Sequence, residues 1–86
     1  MSKHNLTETM AYNSEEVREA RIKEILTQVE AALNDRGYQS VAQISGYLIS
    51  NDPAYISSHQ NARITIQEVE RYEIIEELVR FYLAQK

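Results

Sequence analysis

Residues 22–37 read IKEILTQVEAALNDRG, and this stretch decides the fold. Ile22, Ile25, Leu26, Val29 and Leu33 recur at the three- and four-residue spacing that lines one stripe of an α-helix. Gly37 closes the run, because a residue without Cβ takes a positive φ at low cost and stops a helix. With Gly37 just past the helix end, Tyr38 packs back on Leu33, the hydrophobic contact of a Schellman stop. Upstream, Glu19 and Lys23 stand four apart in the favourable order. Asn13 and Glu16 fit a capping box, which puts the helix start near Ser14. Glu15, Glu16 and Glu19 then lie near the positive end of the helix dipole.

Residues 1–12 have a different character. Ser2, Asn5, Thr7 and Thr9 are interspersed with only scattered apolar side chains. They read as a flexible N-terminal tail ahead of one helical domain at 13–86. A short strand-like attachment through the alternating Leu6, Met10 and Tyr12 is the weaker reading.

Downstream of Gly37, Ser40 and Gln43 offer a second capping box, and Val41, Ile44 and Leu48 form the stripe of a shorter helix. Gly46 sits inside it at a cost of about 1 kcal/mol against Ala, which points to close approach of another helix. Asn51-Asp52-Pro53 is the sharpest break. Asp52 suits a cap and Pro53 the first helical position, where no N–H is needed. A single turn through Ile56 follows. A third helix begins at about Ser58 or Gln60, with Ala62, Ile66 and Val69 on one face. Ile75, Leu78, Val79 and Tyr82, widened by Ile74 and Phe81, mark the last. No Gly or Pro lies between these two, so the pattern leaves open whether 58–86 is one helix or two.

The whole is therefore an all-α, compact small bundle of four to five helices. With 86 residues, 13 acidic and 9 basic side chains, a net charge of −4 and no cysteine, it is a single domain with a thin core. Disulfides, thiolate zinc sites and thiol nucleophiles are excluded, and such a core commonly gains help from a second chain. No apolar run reaches the ~18–20 residues that span a bilayer, and Met1–Tyr12 lacks a signal-like stretch, so the expectation is a cytoplasmic protein without membrane insertion.

Catalytic chemistry is missing from the inventory. His4 and His59 have no metal-ligand spacing to one another or to other ligands, and no glycine-rich loop is present to hold phosphates. Asp52 as a general base competes with its simpler role as a cap. Glu73, Glu76 and Glu77 read as a solvated face, with Glu76 and Arg80 an ordinary i,i+4 pair. No cofactor, metal or catalytic residue is expected. Ser40 to Ile66 reads loosely as helix–turn–helix, which keeps a DNA-binding transcriptional regulator as the alternative. Its reader segment carries only His59 and Arg63, against the basic footprint that DNA requires, and no nucleic-acid partner is expected.

Gly46 and the apolar Tyr47, Ile49, Phe81 and Tyr82 exceed what one stripe per helix needs. Tyr55 joins them as an amphipathic side chain beside a helix end. These six are the candidates for a subunit interface or a partner-binding surface. Tyr38, Tyr47, Tyr55 and Tyr82 would make a binding cleft if they gathered.

The set Gly37-Tyr38, Gln43-Ile44, Gly46-Tyr47-Leu48, Asp52-Pro53-Ala54-Tyr55-Ile56, His59, Ala62-Arg63, Glu70-Arg71, Glu73-Ile74-Ile75-Glu76-Glu77-Leu78-Val79 and Tyr82-Leu83 resembles the IreB family of small bacterial regulatory phosphoproteins. The resemblance covers nearly the whole chain. It implies a compact, non-enzymatic helical homodimer. It also implies phosphorylation near the N-terminus by a transmembrane Ser/Thr kinase, with a cognate phosphatase and an unknown downstream protein. The role implied is cell-envelope stress control that limits intrinsic cephalosporin resistance. By position, the acceptor falls on Thr9 within Glu8-Thr9-Met10, with Thr7 second. Two departures stand out. Tyr72 replaces a small acid that would cap the last helix, and Ser57-Ser58 replaces a Pro-Arg pair, which removes a basic side chain.

Overall fold

The computed structural model describes the backbone of residues 2–85 and the side chains of residues 14–85. Four α-helices follow in order: α1 (Ser2–Asp35), α2 (Ser40–Ser50), α3 (Ala62–Ile66) and α4 (Arg71–Ala84). Between α2 and α3 the chain makes two 3-10 turns, Pro53–Tyr55 and His59–Asn61. No strand occurs among the described residues. The all-α expectation is met, and residues 62–84 form two helices rather than one.

α1 is the spine, packed against α2, α3 and α4 in turn. Its stripe is the one the spacing predicts, except that Leu26 is half-buried and Ala32 joins it. Ile22, Ile25, Val29, Ala32 and Leu33 are buried, and Tyr47, Ile56, Ala62, Ile66 and Ile74 close over them. Each fully buried Ile, Leu or Val contributes about 1.5–3 kcal/mol. The stop at Gly37 forms as expected. Its φ is 73°, the Gly37 N–H donates to Asn34 O at 2.9 Å and the Tyr38 N–H to Leu33 O at 3.0 Å. These are the two bonds of a Schellman motif.

The N-terminal boundary differs from the sequence reading. The helical backbone runs unbroken from Ser2, so Ser14 and Glu16 lie within α1 rather than in its first turn. No Gly or Pro before Asp35 interrupts the hydrogen-bond ladder. The side chains of the expected leader, Thr7 and Thr9 included, lie outside the described residues, as does the Asn13 side chain of the expected capping box.

α2 begins differently too. Gln39 holds the cap position without a side-chain bond, which leaves Ser40 and Gln43 one residue too far in for a capping box. The Gln43 carboxamide instead accepts the Ser57 N–H at 3.0 Å and ties α2 to the following loop. Asn51 ends α2 in the left-handed conformation, donating to Tyr47 O at 2.8 Å. Asp52 caps the next turn as predicted, its Oδ1 accepting from the Ala54 N–H at 3.0 Å with Pro53 at the first position.

Side-chain contacts accompany the break between α3 and α4. Gln67 Nε2 donates to Arg63 O at 2.9 Å and satisfies a terminal carbonyl of α3. Arg21 holds the next residue, Glu68, at 3.2 Å. α4 restarts from Glu70 in an extended conformation, with no side-chain cap. Tyr72, at the capping-acid departure, stands exposed.

Candidate interaction surfaces

The polar residues that invite a catalytic reading have structural partners. His59 Nε2 meets Asp35 Oδ2 at 2.9 Å, and Gln60 Nε2 donates to the same oxygen at 3.3 Å. This clasp holds the second 3-10 turn on the C-terminal end of α1, across Gln60 and Asn61 with positive φ of 52° and 64°. The Glu73, Glu76 and Glu77 cluster is divided: Glu73 faces Arg18 at 3.7 Å, while Glu76 and Glu77 face Arg80 at 3.6 and 2.9 Å. Among the described residues no group of three or more His, Cys, Asp or Glu side chains is arranged to hold a metal.

The helix–turn–helix alternative loses its reader. α3 is five residues long, and Arg63 turns inward, its Nε donating to Ile56 O at 2.8 Å. That guanidinium is tied to the backbone through Nε, and α3 carries no other cation.

The six interface candidates separate. Tyr47 is 4% exposed and belongs to the hydrophobic core, so it is corrected from surface to interior. The backbone turn that points Val41 outward carries Tyr47 toward α1, because one helix cannot bury both faces. Gly46 is an internal contact. A Cβ there would lie 2.6 Å from Tyr55 Cδ1 and 3.2 Å from Tyr55 Cγ. The close approach read from the sequence is therefore an aromatic ring of the Pro53–Tyr55 turn, rather than another helix. Ile49, Phe81 and Tyr82 are exposed at 84%, 62% and 76%, and Tyr55 keeps an open edge. The tyrosine cleft does not form among the three described cavities, none of which is lined by Tyr38, Tyr55 or Tyr82.

Two apolar surfaces remain open. The first is a groove between α1 and α4 of about 480 Å³, floored by Ala20, Ile22, Leu26, Leu78 and Phe81. It runs into a second cavity of about 280 Å³ bounded by Val41, Ile44 and Leu48 of α2. Leu26 and Leu78 line both. The second surface is the outer face of α4, where Tyr72, Ile75, Val79 and Tyr82 stand exposed at 3-4-3 spacing. That spacing is the seam of a helix that packs on another helix. Sequence reading missed the groove because Val41, Leu48 and Leu78 belong to periodic stripes, and periodicity does not say whether a stripe is covered. The apolar excess at Phe81, which floors the groove, was the available signal.

The sequence model of the IreB regulatory phosphoprotein family matches residues 7–84. The chain belongs to this family. The IreB match begins at Thr7, takes in Thr9 and runs through α4 to Ala84, so leader and body fall within one family unit. A regulatory role accords with a body whose candidate catalytic groups, Asp52, His59 and Glu73, have structural partners and whose apolar surface is left open. No helix among the described residues is long and apolar enough to cross a membrane.

The leader of this IreB chain joins an uncovered part of α1. Every described residue from 14 to 21 is exposed, and burial begins at Ile22. The cations nearest the leader, Arg18 and Arg21, are engaged with Glu73 and Glu68. Residues 13–16 offer no helix-terminal N–H groups to a phosphate, since the helix continues through them.

Proposed function

We propose that the chain is a non-enzymatic regulator switched by phosphorylation in the cytoplasm. A transmembrane Ser/Thr kinase modifies Thr9, with Thr7 the second acceptor, and a cognate phosphatase reverses the change. The body acts by binding a downstream protein and limits intrinsic cephalosporin resistance within the envelope stress response. The match to a regulatory phosphoprotein family over residues 7–84 carries this reading. Physical chemistry supports it at the leader. The described residues that follow it, 14–21, are all exposed, and helix without tertiary packing is marginal in water, which supports a leader that yields its hydroxyl to a kinase.

A phosphate adds about −1.5 to −2 charges at pH 7. Glu15 and Glu16 repel it, and Arg18 and Arg21 already hold carboxylates. The modified leader therefore moves away from the body rather than docking on it. The chain also works as a homodimer through the outer face of α4, whose exposed 3-4-3 stripe includes the candidate Tyr82. Phosphotransfer by the kinase domain of the native cell to purified chain tests the acceptor. Thr9→Ala should remove most of the incorporated phosphate and Thr7→Ala a minor part. Undiminished incorporation in the double variant would place the acceptor elsewhere and defeat the reading.

A further inference from the structure

The groove between α1, α2 and α4 is apolar along its floor and acidic along its rim. Glu16 and Glu19 edge the larger cavity and Glu30 the smaller. None of these three makes an ion pair among the described residues. Glu77, also on the rim, shares Arg80, and among the described residues Lys23 is the one basic side chain lining either cavity.

We propose that this groove docks a basic amphipathic helix of another protein, one with an apolar stripe flanked by Lys and Arg. The proposal rests on the protein-binding reading above and adds the chemical class of the partner. Two helices form the walls and a helix fits between them, its i, i+3/i+4, i+7 side chains reaching the floor around Leu26 and Leu78. Charge chooses the occupant. The exposed stripe that a second copy would offer, on α4, is interleaved with Glu73 and Glu76 and brings more carboxylates to an acidic rim, whereas Lys and Arg flanks meet Glu16, Glu19 and Glu30 with complementary sign. The groove is thus assigned to a partner and the outer face of α4 to self-association.

The test titrates the isotope-labelled full chain with a synthetic helix of about four turns, Leu on one face and Lys on the flanks, and with its twin carrying Glu for Lys. The Lys peptide should saturate and shift amides of α1, α2 and α4 around Leu26, Ile44 and Leu78, while the Glu twin binds at least about tenfold more weakly. The pair Glu19→Lys with Glu30→Lys should weaken the Lys peptide by about tenfold. The charge-matched pair Glu24→Lys with Glu70→Lys, outside the groove, should leave it within about twofold by the same reasoning. All these positions are exposed, and circular dichroism confirms that the variants fold. Absence of saturable binding overturns the proposal. So does equal weakening by the control pair, which would mean diffuse charge attraction. Groove amides that shift on dilution alone also overturn it, because a second copy then fills the site. None of these outcomes bears on phosphorylation of Thr9, so the two readings fail separately.

Discussion

Gly46→Ala tests the contact that orients α2 on the turn after it. An alanine Cβ at this position would lie 2.6 Å from Tyr55 Cδ1, with Cε1 at 3.1 Å and Cγ at 3.2 Å. Contacts this short force the ring aside, and proximity to Cγ means a small twist of the ring end does not relieve them. Overpacking of this kind costs about 1–3 kcal/mol. Alanine inside a helix returns about 1 kcal/mol relative to glycine. The net expected loss is about 1 kcal/mol in the native background. In a Tyr55→Ala background the clash is gone, and the same substitution should stabilise by about 1 kcal/mol. The sign therefore reverses, with a coupling of about 2 kcal/mol between the two positions. Urea unfolding followed by circular dichroism on the four proteins of the cycle measures it. A stabilisation of equal size in both backgrounds would show that the ring yields freely and refute the reasoning.

Three further substitutions follow from the fold. Gly37→Ala, at a φ of 73° with open space around the added carbon, should cost about 1–2 kcal/mol from backbone conformation alone, read as a lower urea midpoint with unchanged slope. Tyr47→Ala should remove about 3–5 kcal/mol of core packing, a large share of a small domain's stability. Tyr82→Ala should instead leave the unfolding free energy of the monomer within about 0.5 kcal/mol. Tyr82→Ala should also lower the light-scattering mass toward the 10.0 kDa of one chain.

The periodic stretch at residues 22–37 was legible because length and spacing left one way to bury it. The turn chemistry at Gly37 and at Asp52-Pro53 was legible because each demands a specific backbone geometry. α2 was legible as a helix but not in orientation. Apolar residues occupy several of its faces, and only packing against α1 decides that Tyr47 goes in and Val41 stays out. The bonds from Gln43, Arg63 and Arg71 to distant backbone groups were not legible, the last reaching Leu48 O at 2.6 Å. Long polar side chains carry no pattern that names a backbone partner, whether N–H or carbonyl. The break before α4 belongs to the same class, accompanied by contacts of Gln67 and Glu68 rather than marked by Gly or Pro. The open groove needed three helices in place before it existed at all.

Tandem mass spectrometry of the protein isolated from growing native cells is the most direct examination of the regulatory switch. Phosphate on Thr9, with a smaller share on Thr7, is the expected result, and its amount should fall when the kinase is deleted. A chain that carries no phosphate in its leader, or carries it only on hydroxyls of the helical body, would contradict a switch located ahead of the fold.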